Sequence, residues 1–146
     1  TFQGVKLTKT GGQHGTDEMY RNAELKAGLG EAMGMVFEAA GHETVYVAGD
    51  TIWRPEVDQA IQTFKPDVIV LNTGNALMDG YKESIIMGKE DTYHATQKAP
   101  NAKIVAVHMD AINHMSVTRA QLAEYVKNKG IQDKVLIPID GETLSF

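Results

Sequence analysis

The chain of 146 residues contains no cysteine. That excludes a disulfide scaffold, a thiolate zinc site and a cysteine nucleophile, and it fits a reducing compartment. Positive charge is also scarce: 14 Lys and Arg stand against 19 Asp and Glu, a net charge of −5, and no basic cluster interrupts the sequence. A nucleic-acid or anionic-membrane surface needs the opposite balance. No apolar run is longer than that of Val68-Ile69-Val70-Leu71, far short of the roughly 20 residues that span a bilayer. Neither Gly-x-Gly-x-x-Gly opening a helix, nor a Walker-type Gly-Lys-Ser/Thr, nor a Gly-x-Ser-x-Gly elbow occurs. Nucleotide binding and serine hydrolysis thereby lose their usual signals. The chain opens on Thr1 with no basic-then-apolar leader, so the expectation is a trimmed or processed start and a cytoplasmic location.

What is present suits a single α/β domain over residues 1–146, with 42% hydrophobic residues and strand-like runs alternating with helix-like ones after about Met33. Gly4 to Thr10 alternates apolar and polar residues as a half-exposed strand does. Thr10 to Gly30 reads as a long Gly-rich, polar loop. Met33–Ala39 and Thr44–Ala48 flank Ala40-Gly41-His42-Glu43 as a hairpin. Val57, Ala60, Ile61 and Phe64 fall at helical spacing, with Pro55 suited to the first turn and Pro66 beyond the last. Strands are expected at Asp67–Asn72 and Ala102–Val107, and a helix from about Glu90 to Ala99. Thr118-Arg119-Ala120-Gln121 fits a capping box for a helix ending at Gly130. Val135–Pro138 and Glu142–Phe146 read as a last strand pair around Asp140-Gly141.

Val68–Leu71 and Ile104–Val107 are apolar without alternation, which predicts strands buried on both faces. Right-handed crossovers between strands that advance in one direction lay all the helices on one face. The other face then needs a cover from a missing segment or a partner chain, which makes an oligomer or a heteromeric assembly the expectation.

Chemistry in an open α/β sheet gathers at the carboxyl ends of the strands. Asp50 follows Val45-Tyr46-Val47-Ala48-Gly49, and Thr51 beside it is positioned to orient the carboxylate. His108 follows the Ile104–Val107 strand. His14 sits between glycines in Gly11-Gly12-Gln13-His14-Gly15. Two imidazoles and a carboxylate from three loops suit a zinc or manganese half-site. Each has a plainer reading: Asp50 as a turn or cap residue, His108 as a hydrogen-bonded core edge, His14 as a loop residue. His114 shares the loop after His108 and competes for its role. Trp53 and Arg54 either line a pocket or pack in the core. His42 and His94 read as surface or packing residues, and Met78, Met87, Met109 and Met115 as gap-filling side chains.

Val45–Thr51, then a helix, then Pro66-Asp67-Val68-Ile69-Val70-Leu71-Asn72-Thr73-Gly74, then Ile86-Met87-Gly88 and Ala106-Val107-His108-Met109-Asp110-Ala111-Ile112-Asn113-His114, resemble the second half of the metallo-β-lactamase fold. Within that superfamily they resemble the metal-dependent hydrolases related to L-ascorbate-6-phosphate lactonase. The resemblance implies half of a four-layer αββα sandwich, a mixed sheet with helices on one face. It also implies one or two zinc or manganese ions, with His14, Asp50 and His108 as metal ligands, Asp50 bridging, and Asp50 and His108 catalytic. Thr51, Trp53, Asn113 and His114 fall where substrate-binding or supporting residues lie. A metal-bound hydroxide would attack a small-molecule ester, lactone or phosphoester.

The superfamily's His-x-His-x-Asp-His motif has no counterpart in the sequence. The first reading is therefore the carboxy-terminal portion of a metal-dependent hydrolase, completed by an amino-terminal half or partner chain. The second is a non-catalytic binding or assembly module that buries its free sheet face by oligomerisation. A flavodoxin-like domain is a third, and it lacks a phosphate-cradling loop.

Overall fold

Val68–Leu71 and Ile104–Val107 form the parallel centre of a six-stranded sheet in the computed structural model, which describes every residue except Ala111. That position of the His108–His114 segment lies outside the described residues. The strands are β1 (Lys6–Thr10), β2 (Gly34–Glu38), β3 (Val45–Val47), β4 (Val68–Asn72), β5 (Lys103–Val107) and β6 (Val135–Leu136), and their order across the sheet is their order along the chain. β1, β2 and β3 pair antiparallel, while β3 to β6 run parallel. The helices are α1 (Ala23–Leu29), α2 (Pro55–Phe64), α3 (Lys89–Lys98) and α4 (Arg119–Lys129).

Each of α2, α3 and α4 links one parallel strand to the next, so right-handed crossovers bring them to the same side. Their apolar stripes meet one set of alternate strand residues. Val57, Ala60 and Ile61 of α2, Ala95 of α3, and Leu122 and Val126 of α4 share a buried cluster with Val36, Tyr46, Ile69, Leu71, Ile104 and Ala106. Local signals start and stop the helices as read: Pro55 opens α2, Thr118 Oγ1 accepts from the Gln121 N–H at 3.2 Å while Gln121 Oε1 accepts from the Thr118 N–H at 2.9 Å, and Gly130 ends α4 at φ 67°.

The opposite face is also apolar. Phe37 lies opposite Val45, Val47 opposite Val70, and Val105 opposite Val70 and Leu136. None of these residues belongs to the helix-covered cluster, and all but Val105 remain partly exposed. The cover that the sequence lacks is lacking here too among the described residues, except where Phe146 shares a surface depression with Val68 and Leu136. Among the described residues no helix is long and apolar enough to cross a membrane.

Two expectations need correction. The Thr10–Gly30 stretch is not all loop: a 3-10 turn at Met19–Arg21 leads into α1, whose start is capped by Asn22 Oδ1 accepting from the Glu24 and Leu25 N–H groups at 3.0 and 3.1 Å. The Asn cap and the Leu25/Leu29 spacing were the available signal. Glu142–Phe146 forms no strand: β6 is only two residues long, and Pro138 removes a backbone donor just beyond it, which leaves little extended backbone to pair with. The Asp140-Gly141 turn does form, with the Glu142 N–H donating to Ile139 O at 3.1 Å.

Leu122 is fully buried, and Leu122→Ala is expected to lower unfolding stability by about 2–5 kcal/mol in urea titration, against about 1 kcal/mol for Thr118→Ala. A second expectation concerns Asp91, which accepts from the Gly88 N–H at 2.9 Å. Burial pushes its carboxyl above the ordinary value of 3.8, the Gly88 hydrogen bond pulling the other way. A carboxyl raised in the folded state contributes stability below its unfolded pKa and loses it as pH rises through the folded one. Asp91→Asn is therefore expected to flatten the fall in stability just above pH 3.8, measured by denaturation at stepped pH.

Candidate metal centre

Asp50, His108 and the His14 loop all lie at the carboxyl ends of parallel strands or against the loops there, where strand dipoles and loop backbone leave room for a ligand. Gly49 makes the turn out of β3 at φ 74°, and a Cβ there would stand 2.5 Å from Met33 O. Asp50 then projects beside the end of β4. Its Oδ1 accepts a 2.6 Å hydrogen bond from Asn72 Nδ2. Asn72 closes the apolar β4 run, and sequence reasoning passed over it; a polar amide as the last residue of a buried parallel strand was the signal.

His108 leaves β5 with φ 63°, followed by Asp110 at φ 59°. Non-glycine residues in that region cost of order 1–3 kcal/mol and persist where their surroundings hold them. The holding group is Arg119. Asp110 Oδ2 accepts from the Arg119 backbone N–H at 3.1 Å and from its guanidinium at 3.3 Å, while Arg119 Nε donates to Pro138 O at 3.1 Å and the same guanidinium pairs with Asp140. The turn so fixed brings His108 Nε2 to 3.8 Å from Asp50 Oδ1. A tetrahedral zinc with donors at roughly 2.0–2.2 Å would hold two of them about 3.4 Å apart. The pair thus suits one shared cation. Both side chains also keep an open side, with 41% of Asp50 and 34% of His108 exposed.

Thr51 does not touch the Asp50 carboxylate, contrary to the expectation from their adjacency. Its hydroxyl is wholly buried, donates to Ile52 O at 2.8 Å and accepts from the Gln13 N–H at 2.9 Å. The Ile52 N–H donates to Gln13 O at 2.9 Å, and the Met87 N–H to Thr51 O at 3.1 Å. Gln13 is thereby stitched to the Asp50 loop, which sets His14 next to it. A second tie runs through Asp17, which accepts from Gln13 Nε2 at 2.8 Å and pairs with Arg54 at 2.7 Å. The Gln13 hydrogen bond first, then Arg54, holds its carboxyl below the usual value.

The remaining candidates divide. His14, Asn113 and His114 line one cavity. Trp53 turns toward the helices instead, donating to Asp58 at 3.3 Å and meeting the His94 ring edge-on at 4.5 Å. Among the described residues no three His, Asp or Glu side chains gather closely enough to hold a metal ion. Asp50 and His108 come together; His14 does not complete a trio with them.

The architecture is that of the metallo-β-lactamase fold over about half of the chains that carry it: a metallo-beta-lactamase fold protein, YhfI, of Bacillus subtilis superposes at a TM-score of 0.64 with 13% identity, covering 97% of this chain and 49% of that one. That likeness is one of fold. More specific relatives are a UPF0173 protein, YddR, of Bacillus subtilis strain 168, 42% identical over 99% of this chain, and two solved structures. One is a possible metal-dependent hydrolase from Veillonella parvula, at TM-score 0.98 and 46% identity. The other is an isothiocyanate hydrolase from Delia radicum gut bacteria, at TM-score 0.96 and 49% identity. Each structure is matched over 100% of this chain. The chain spans about half the length of these relatives, 55% of YddR and 56% of each solved structure. No family model matches it.

Thr51→Val keeps the side-chain shape and removes the acceptor of the buried Gln13 N–H. The expected outcome is a loss of about 1–3 kcal/mol, with faster amide hydrogen exchange at Gln13 and at the loop of His14. Unchanged exchange there would mean that the Thr51 junction does not hold the loop.

Proposed function

We propose that this chain is the carboxy-terminal portion of a metal-dependent hydrolase, completed by an amino-terminal half that lies on its open sheet face. The observation that carries this reading is the Asp50–His108 pair, two donors from the ends of β3 and β5, on either side of β4, held at a spacing that suits one cation, in a chain that spans about half of a possible metal-dependent hydrolase to which it is 46% identical. The uncovered stripe of Phe37, Val45, Val47 and Val70 supports the second half of the proposal. It is apolar enough to need burial and lies beside the strand ends that carry the site.

In this reading Asp50 and His108, joined by His14 once the other half is in place, would hold one or two zinc or manganese ions, the set being completed from that half. When bound, such an ion supplies a water acidified toward neutral pH and a Lewis acid for the substrate oxygen. The chain's own residues do the positioning. Asn72 donates to Asp50 Oδ1, the oxygen that faces His108 Nε2, and so fixes the direction of the carboxylate while Oδ2 is left to accept a proton. Arg119 fixes the turn that aims His108. His114 and Asn113, at the edge of the cavity with His14, stand ready to donate to a substrate oxygen. The reacting centre is an ester, lactone or phosphoester, and the name of one 49% identical neighbour adds an isothiocyanate carbon. A non-catalytic assembly module that buries the same apolar face by self-association is the second reading, and the open face favours it equally.

Native and denaturing mass spectrometry with metal analysis separates them. A second polypeptide, or a longer chain, carrying a His-x-His-x-Asp-His segment and roughly one or two transition metals per assembly is the expected result. A metal-free self-associated chain gives the reading to the assembly module. In the complete hydrolase, Asp50→Ala is expected to reduce kcat by at least a thousandfold with the fold retained by circular dichroism. Full activity in that variant removes Asp50 from the site.

A further inference from the structure

β3 and β5 lie on either side of β4, so two strand spacings, about 10 Å, separate the strands that lead to Asp50 and His108. Their donor atoms nevertheless stand 3.8 Å apart. Both side chains must therefore reach over the end of β4, and whatever ends β4 sets how closely they meet. That end is Asn72-Thr73-Gly74-Asn75. Asn72 holds the Asp50 side, through the 2.6 Å hydrogen bond from its Nδ2 to Asp50 Oδ1. The next three residues hold the His108 side.

Thr73, fully buried, donates its N–H to Val107 O at 2.9 Å. Gly74 lies against the next peptide: a Cβ built on it would overlap His108 O and Met115 Sδ, with Met115 Cγ 3.1 Å away. Its φ is not in the left-handed region, so glycine is required here by the closeness of His108 and not by conformation. The Gly74 carbonyl accepts from the Ser116 and Val117 N–H groups at 3.0 Å each. Asn75 repeats the tie with its side chain, Nδ2 donating to Ser116 Oγ at 2.6 Å while Ser116 Oγ donates to Asn75 O at 2.7 Å. The two ends of the segment that carries His108 are thus clamped to one turn. Strain gathers at the same place: of the five non-glycine residues at positive φ among the described residues, Asn75, His108 and Asp110 are three.

Building on the hydrolase reading above, we infer that Gly74, with the turn it opens, is a positioning residue of the metal centre. By having no side chain it lets the His108 peptide settle against the end of β4, where the imidazole comes within reach of a cation that Asp50 also holds. A methyl group at this position meets a backbone oxygen on one side, and a backbone oxygen moves only with its peptide. The Cα of His108 belongs to that peptide, so the ring is displaced with it. Met115 is the softer neighbour, because the thioether of a flexible side chain can turn away. Arg119 anchors the far side of the same turn through Asp110, so the shift falls on the His108 peptide rather than on the segment as a whole.

The test uses the complete protein, with zinc affinity read by competition with a chromophoric chelator and the Asp50–His108 separation read from crystal structures. Gly74→Ala is expected to weaken zinc binding about tenfold or more, as loss of a supporting contact at a metal site does, and to widen the separation by more than about 0.5 Å. Ile61→Ala, in the buried far turn of α2, lowers the melting temperature without touching the turn and should leave zinc affinity within about twofold. Adding Met115→Ala to Gly74→Ala clears the sulfur but not the carbonyl oxygen, and affinity should stay low. Wild-type zinc affinity or an unchanged separation in Gly74→Ala overturns the inference, as does recovery in the double variant or an equal loss in Ile61→Ala. Should Gly74→Ala not fold, Ser116→Ala decides: it frees the other end of the clamp and is expected to weaken zinc binding about threefold or more with the fold retained. Full affinity there overturns the clamp. If the wild-type protein takes up no metal, the hydrolase reading falls, and the separation alone tells whether Gly74 sets the geometry.

Discussion

Three connecting segments are tied together through one buried residue, Thr51, and its neighbours. Thr51 Oγ1 accepts from the Gln13 N–H and donates to Ile52 O, while the Thr51 carbonyl accepts from Met87 N–H and Met87 O from the Asn75 N–H. The loops after β1 and β3 and the two ends of the β4–α3 connection are thus held to one another. An unmatched polar group at a fully buried position costs about 1–3 kcal/mol, so each of these partners constrains the others. The positions of His14, Asp50 and the Met87-Gly88 entry to α3 are consequences of that junction rather than independent features. Without it, the Gly-rich loop carrying His14 would have few other reasons to lie where it does.

Topology sets the rest. Because the strands advance in one direction from β3 to β6, the crossover helices share a face and the catalytic candidates share an edge. The same rule that gathers Asp50 and His108 at the strand ends leaves Phe37, Val45, Val47 and Val70, among the described residues, outside the helix-covered cluster. An incomplete donor set and an uncovered sheet face are thus two results of one arrangement, and a single second layer would answer both.

The parts of this structure legible in the sequence are those governed by local chemistry. Pro55 at a first turn, the Thr118/Gln121 box, Gly130 as a left-handed stop and the unalternating β4 and β5 runs each act over a few residues, and each formed as read. What escaped reading depends on contacts distant in sequence. Thr51 stands beside Asp50 in the chain, yet its partner is Gln13, 38 positions away, and the residue that does orient Asp50 is Asn72, 22 away. Trp53 follows the same loop, but Asp58 and His94 draw it into the helix layer. α1 was missed because polar, glycine-containing sequence outweighed one Asn cap. The final strand was expected from a turn that did form, since a turn signal says nothing about whether the segments on its two sides stay extended and pair.

His108 illustrates how far such a dependence extends. A histidine in the left-handed region has no intrinsic reason to stay there, and Asp110 two residues on carries the same cost. Arg119 offsets it from eleven positions downstream through one side chain and one backbone N–H. The ion pair to Asp140 alone is worth little, since that carboxylate is 92% exposed. The Asp110 contact differs in kind: the carboxylate takes the first N–H of α4 as well as the guanidinium, so a helix start and a histidine turn share one anchor. The helix therefore does more than cover the sheet. Its N-terminal turn holds the backbone of the segment that aims His108 at Asp50, and the geometry of the candidate site is in part a property of α4.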